Sequence, residues 1–303
     1  MENKNICYID YMDSYLDIFS ERFPKLLRKI IYFFLNYIGY IKRNENILIL
    51  FCVENDIVNF RMLERLINII KEKDYEAIVL AEKLFKNDIL VNILKENNIN
   101  ILNGYTLNKF LALDVLEKIA YIQNRKLNNI EVSILTNNDS DFNIENIKLI
   151  APKCKILNVV TNKLRQFQVV EKYVFDEFGN IINVSRNKSK ACLRSDIVLN
   201  FDYNIDMLEK CNFNKNTILV QFTGEEFDSK IKKVIMNYKL KFPSKYLNVF
   251  EKLKHFDENI IYESFLYHKN SFENTRKILK NDNIYIKYFV GIYGKINFKD
   301  IKI

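Results

Sequence analysis

The chain of 303 residues is long enough for two domains of ordinary size, and a composition of 49% hydrophobic and 14% aromatic residues excludes extended disorder. A net charge of +8 suggests an anionic partner. However, Lys, Asn and Ile are as abundant as codon bias in an AT-rich genome makes them, and Lys and Arg interleave with Asp and Glu instead of forming the stripe that nucleic acid requires. Cys7, Cys52, Cys154, Cys192 and Cys211 are scattered, odd in number and without a C-x-x-C pair, and only His255 and His268 accompany them. That excludes a zinc site and a disulfide framework, and implies small apolar fillers in a reducing cytoplasm.

The chain begins MENKNICYIDYMD, polar and acidic where a secretory leader is basic and then apolar, so no leader is expected. YIDYMDSYLDIF sets Asp10, Asp13 and Asp17 at helical spacing among aromatics, the pattern of an amphipathic surface helix. Residues 11 to 43 read as helical, with Pro24 opening LLRKIIYFFLNYI. The apolar run Ile30 to Ile41 is too short to span a bilayer, which takes about 20 helical residues. Its flanks, Lys25, Arg28, Lys29, Lys42 and Arg43, would suit an anionic membrane surface; packing on its own domain is the simpler expectation, and a second copy of the chain is a further possible cover.

From Asn46 the period changes. Short apolar runs at 47–53, 76–81, 99–102, 131–136, 155–160, 180–185, 196–201 and 217–222 predict strands buried on both faces. Between them MLERLINIIKEK, DILVNILKEN, LNKFLALDVLEKIAYI and FQVVEKYVFDEF carry apolar residues at three- and four-residue spacing, which predicts covering helices. The class expected is α/β, with mainly parallel, doubly wound Rossmann-like sheets, N-terminal helices and a C-terminal α+β cap. The expected divisions are a helical segment 1–45, a first α/β half 46–128 ending in the polar seam QNRKLNN, a Rossmann-like domain 129–225, and a cap 226–303.

In Ile130 to Phe222 a strand, helix and strand lead to VVTNK, then FQVVEKYVFDEFG and RSDIVLNFD. This segment resembles the nicotinamide-dinucleotide domain of the shikimate dehydrogenase and glutamyl-tRNA reductase type. The resemblance implies NAD(P) as the cofactor and makes Asn162, Lys163 and Arg165, just past the second strand, candidates to hold the adenosine ribose or its phosphate. The dehydrogenase's catalytic Lys and Asp and the reductase's nucleophilic Cys have no motif here onto which they carry. Read as residues alone, Lys163 and Arg165 are helix-surface cations.

The first turn departs from that pattern. Glycines there let the backbone approach a pyrophosphate over a helix N-terminus, whereas this chain has TNNDSD, with side chains throughout and two carboxylates. At about 4 Å and an effective dielectric near 20, each carboxylate opposes a phosphate charge by up to roughly 4 kcal/mol, comparable with the whole free energy of a millimolar complex. The usual dinucleotide grip is therefore expected to be absent, leaving a cytoplasmic, non-catalytic binding or interaction scaffold without cofactor, whose partner is another protein or a second copy.

LALDVLEKIA followed by SILTNNDSDF also resembles the segment of NYN/PIN-type ribonucleases in which a helix aspartate precedes a strand ending in an Asp-rich turn. That resemblance implies Asp114, Asp139 and Asp141 as magnesium ligands, with nucleic acid as substrate and a metal-activated water as nucleophile. Glu54 or Asp56 is the nearest counterpart of the family's first aspartate, and Asn138 stands where the family has glycine. A third explanation needs no ligand: Asp139, Ser140 and Asp141 precede FNIENIKLIA, where they cap N–H groups and favour the helix dipole. SRNKSK (185–190) is a basic loop at a strand's C-terminal end, and YFVGIYGKI has two glycines without a following helix.

Overall fold

The structure is a computed structural model and describes residues 6–12, 24–50, 59–225, 233–267 and 271–301. The chain forms two compact units, Met1–Gly104 with Lys245–His268, and Tyr105–Ser244 with Lys269–Ile303. The stretch 123–129 lies inside the second unit, and the C-terminal residues are shared between both.

The first unit holds a five-stranded sheet made of β1 (Ile6–Tyr11), β2 (Ile41–Asn44), β3 (Ile47–Leu50), β4 (Ala77–Leu80) and β5 (Ile101–Leu102), in the order β2-β3-β1-β4-β5. All neighbours are parallel except β2, which returns antiparallel along β3. Residues Ile6–Tyr11, part of which reads as the start of an amphipathic helix, are instead the central strand. Ile6, Cys7 and Ile9 are fully buried, and β3 and β4 pair with the strand on either side. The three-residue spacing of Asp10 and Asp13 mimics a helix, but two apolar strands far along the chain offer backbone partners and a dry face, and these tertiary contacts override the local pattern. Asp10 accordingly lies next to the end of a strand, where its Oδ1 is 2.9 Å from Nδ1 of His255. Asp13, Asp17, Cys52, Glu54, Asp56 and His268 lie outside the described residues.

Helix α1 (Lys25–Tyr37) stops at Gly39, which is left-handed (φ +66°). Helix α2 (Phe60–Glu72) is capped by Asn59, whose side chain accepts from the N–H of Arg61, and it buries Met62, Leu63, Leu66, Ile67, Ile69 and Ile70 on one face.

The second unit is built on a six-stranded sheet of β6 (Glu131–Leu135), β7 (Ile156–Val160), β8 (Ile182–Ser185), β9 (Ile197–Asn200), β10 (Ile218–Gln221) and β11 (Val234–Ile235). Its order is β11-β10-β9-β6-β7-β8 and every pair is parallel. Numbered from β6, that is 3-2-1-4-5-6 read from the other edge, the doubly wound dinucleotide order. β9 and β10 are buried at every residue, as their unbroken apolar runs predict. Leu135, Val160, Val198 and Leu219 of the sheet pack with Ala191, Cys192, Leu208 and Cys211 in one cluster. β12 (Asn237–Lys241), β13 (Tyr285–Gly291) and β14 (Gly294–Lys295) form a separate antiparallel sheet. All eight runs read as strands from sequence contain strands.

Cys7, Cys154, Cys192 and Cys211 are buried and form no disulfide, and burial pushes the Cys7 and Cys154 thiols up to about 12. Among the described residues no helix is long and apolar enough to cross a membrane.

Candidate functional site

In this strand order the chain runs outward in opposite directions from β6 and β9, and a crevice opens beyond their carboxyl ends. β6 leads into Thr136–Ser140 and then the helix Asp141–Ile150, while β9 leads into Phe201, Asp202 and Tyr203. Ser140 caps the helix, its hydroxyl accepting from the Asn143 N–H at 3.5 Å, as the capping explanation of the loop anticipates.

The centre of this turn is occupied by the carboxylate of Asp202, a residue outside the candidates read from the sequence. Its Oδ1 accepts from the backbone N–H of Asn137 at 2.7 Å. Its Oδ2 accepts from the Thr136 hydroxyl at 2.5 Å, the N–H of Asn138 at 3.1 Å and the Asn143 amide at 3.5 Å. Converging backbone N–H groups at a strand-to-helix turn form an anion site, and here the chain supplies the anion itself. No residue from Thr136 to Asp141 has positive φ, so the turn is closed without the conformations that glycine would supply.

The neighbouring strand ends are tied into the same network. Asn137 Oδ1 accepts from the Asn162 N–H at 2.8 Å, and the Tyr203 hydroxyl donates to the Val160 carbonyl at 3.0 Å. Asn200 bonds both the N–H and the carbonyl of Tyr203, and its amide donates to Gln221 at 2.6 Å. Lys109, on the helix Tyr105–Phe110, is held below its usual pKa by burial, and the charge of Asp202 works in the opposite direction.

The residues expected from sequence fall in different places. Lys163 and Asp139 are brought together, Nζ to Oδ1 at 2.6 Å, and this hydrogen bond holds the Asp139 carboxyl below the usual range. One ion pair thus joins the acidic turn after β6 to the basic turn after β7. Asn162 contributes only backbone groups, its carbonyl accepting from Arg186 at 3.4 Å. Arg165 is exposed on the first turn of the helix Leu164–Phe178, and Asp141 is exposed at the first position of its helix.

Asp114 does not join Asp139 and Asp141 in a cluster. It pairs with Arg276, which also donates to the Phe110 carbonyl at 2.8 Å. Among the described residues no three His, Cys, Asp or Glu side chains are grouped to hold a metal ion. The physical reason is that Asp114 and Asp139 each find a cationic side chain, and a paired carboxylate gains nothing by crowding a second one. A polar groove of about 1050 Å³, lined by the amino ends of β6, β7 and β9 and by Lys190 and Arg194, contains two ion pairs, Arg125 with Asp196 at 2.9 Å and Lys155 with Glu131 at 3.3 Å.

The signal for Asp202 was present in RSDIVLNFD: a carboxylate two residues past the strand that neighbours β6. What sequence does not supply is the adjacency of β6 and β9, which turns that position into the mouth of the crevice.

No protein-family model matches the chain, and no curated protein matches it. Solved structures similar to it include one component of dipicolinate synthase from Bacillus halodurans (12% identity, 72% of this chain and 73% of that one, TM-score 0.38). L-tryptophan dehydrogenase from Nostoc punctiforme (11%, 91% and 87%, TM-score 0.30) and a shikimate dehydrogenase in complex with NADP+ (10%, 92% and 95%, TM-score 0.34) are comparably distant. With likenesses this remote, the Rossmann-like assignment of the second unit rests on its own strand order.

Proposed function

We propose that this protein is a non-catalytic binding or interaction scaffold whose Rossmann-like domain has given up the pyrophosphate grip of its first turn. The observation that carries the reading is the Asp202 carboxylate seated on the N–H groups of Asn137 and Asn138 and on the Thr136 hydroxyl. A dinucleotide entering there must break hydrogen bonds to a charged acceptor, each worth about 1.5–3 kcal/mol. It must also place its phosphates against a carboxylate that opposes them by up to roughly 4 kcal/mol at about 4 Å. The reading therefore needs no cofactor, its partner is a protein or a second copy of the chain, and NAD(P) held by a different grip is the alternative. The free, buried thiols support a cytoplasmic setting.

Fluorescence titration of NADH and NADPH is the test. The wild-type chain is expected to show no submillimolar binding, and Asp202→Asn, which keeps the shape and removes the charge, is expected to bind either nucleotide or free pyrophosphate more tightly than wild type. Submillimolar wild-type affinity that Asp202→Asn leaves unchanged would overturn the proposal.

A further inference from the structure

Helix α1 presents its apolar side to solvent. KLLRKIIYFFLNY has bulky apolar residues at Leu26, Leu27, Ile30, Phe33, Phe34 and Tyr37, a helical stripe, and each of them is between 41% (Leu27) and 72% (Leu26) exposed. The opposite side, carrying Arg28 and Tyr32, is the buried one. Phe60, 70% exposed, and Tyr40, 42% exposed, add further apolar surface. A surface helix normally does the reverse, and a contiguous apolar face of this kind marks a place of contact.

The helix is not free to roll its stripe inward. Gly39 at its end packs so closely on α2 that a Cβ there would lie 2.8 Å from the Met62 nitrogen. The Asn59 amide donates to the Asn36 and Tyr37 carbonyls at 3.0 and 3.3 Å, and Arg65 donates to the Gly39 carbonyl at 3.3 Å. These bonds fix the rotation of α1 with the apolar residues outward.

Charge selects the partner. Lys29, Lys42 and Arg43 are exposed, and residues 24 to 44 contain no Asp or Glu. Two of the nearby cations lie against the rings of the stripe, Lys29 Nζ 6.0 Å from the Phe33 centroid and the Arg61 guanidinium 5.1 Å from that of Tyr37. A second copy docked on this face through a two-fold axis would bring like charges together, which disfavours a homodimer. A row of Phe and Tyr with cations at its margin suits instead the boundary between anionic headgroups and acyl chains, where rings enter and long cationic side chains reach back to phosphate. The 13-residue helix is about 20 Å long, short of the roughly 30 Å hydrocarbon core, so it lies in the plane of the surface.

We propose that α1, with Phe60 and the neighbouring Lys and Arg residues, is a docking face for an anionic lipid bilayer surface. Flotation of the full chain with vesicles of phosphatidylcholine alone, or mixed equally with phosphatidylglycerol, tests this. Binding is expected on the mixed vesicles, about tenfold or more weaker on the neutral ones, and diminishing with added salt. Ile30→Asp and Phe34→Asp, both at exposed positions, are each expected to weaken it about tenfold or more with an unchanged melting curve. Lys42→Gln with Arg43→Gln is expected to weaken it on mixed vesicles only. No flotation with mixed vesicles, or equal flotation with both kinds, would overturn the proposal. So would Phe34→Asp binding as well as wild type, since the contact would then be charge alone, as an acidic protein surface would also provide. A lipid-free dimer in light scattering that Phe34→Asp dissociates would assign the face to a second copy and likewise overturn it.

Discussion

Lys109 illustrates how a single residue can record the purpose of a site. Most of its side chain is buried, and burial lowers its pKa from 10.5 while Asp202 pulls it back up. The lowered value means that the unfolded chain binds the proton more tightly than the folded one. The cost of burying the ammonium is therefore complete below the folded pKa and is relieved as pH rises from there toward 10.5. Lys109→Met keeps the length and removes the charge, so it should raise the melting temperature at neutral pH, with the gain shrinking as pH approaches 10.5. A melting series over pH checks this, and a variant that is less stable than wild type at pH 7 would show that the attraction to Asp202 outweighs burial. The lysine and the TNNDSD loop were both readable as residues, but the bond between Thr136 and Asp202 spans 66 positions. Composition and spacing have no access to a contact of that range, which is why the turn is legible as negative while its charge is credited, from sequence, to Asp139 and Asp141.

At the scale of elements, apolar runs made eight strands legible because a strand buried on both faces needs no periodicity to betray it. β1 escaped because ICYIDY is short and is followed by polar residues at helical spacing. Only its two neighbours in the sheet make it a strand. The junction of α1 and α2 shows what an element boundary requires. Gly39 and Gly179 have nearly the same φ, +66° and +67°, but a Cβ at Gly39 would meet backbone of α2 at 2.8 Å and one at Gly179 would meet nothing within 4 Å. Gly179→Ala should therefore cost only the left-handed strain, about 1–2 kcal/mol. Gly39→Ala adds a clash that backbone cannot absorb and should cost about 3 kcal/mol or more. Denaturant midpoints of the two variants measure the difference, and equal losses would mean that α1 can shift away from α2 without penalty.

For the whole molecule, the division of the chain was the least legible property, because each compact unit is assembled from separated stretches. The α+β cap expected at 226–303 suggests an appendage, and an appendage can be removed. Here residues 245–268 belong to the first core and 269–303 to the second. In the first unit the helix Glu258–Leu266 packs on β4 and β5, burying Ile261 and Tyr262 completely, and Glu263 and Ser264 bond the Gly104 N–H and the Tyr8 hydroxyl. In the second, β13 is the middle strand of the antiparallel sheet and its Phe289 is fully buried, while Arg276 closes on Asp114. Losing buried side chains of this size costs about 1.5–3 kcal/mol each in transfer free energy alone, against a typical domain stability of about 5–15 kcal/mol. A chain ended at Ser244 should therefore fail to fold in both units, with collapsed near-ultraviolet circular dichroism and rapid cleavage throughout by a dilute protease. Were 245–303 a detachable cap, the shortened chain would keep a protease-resistant core spanning the six-stranded sheet, and that fragment on a gel would disprove the shared-core reading.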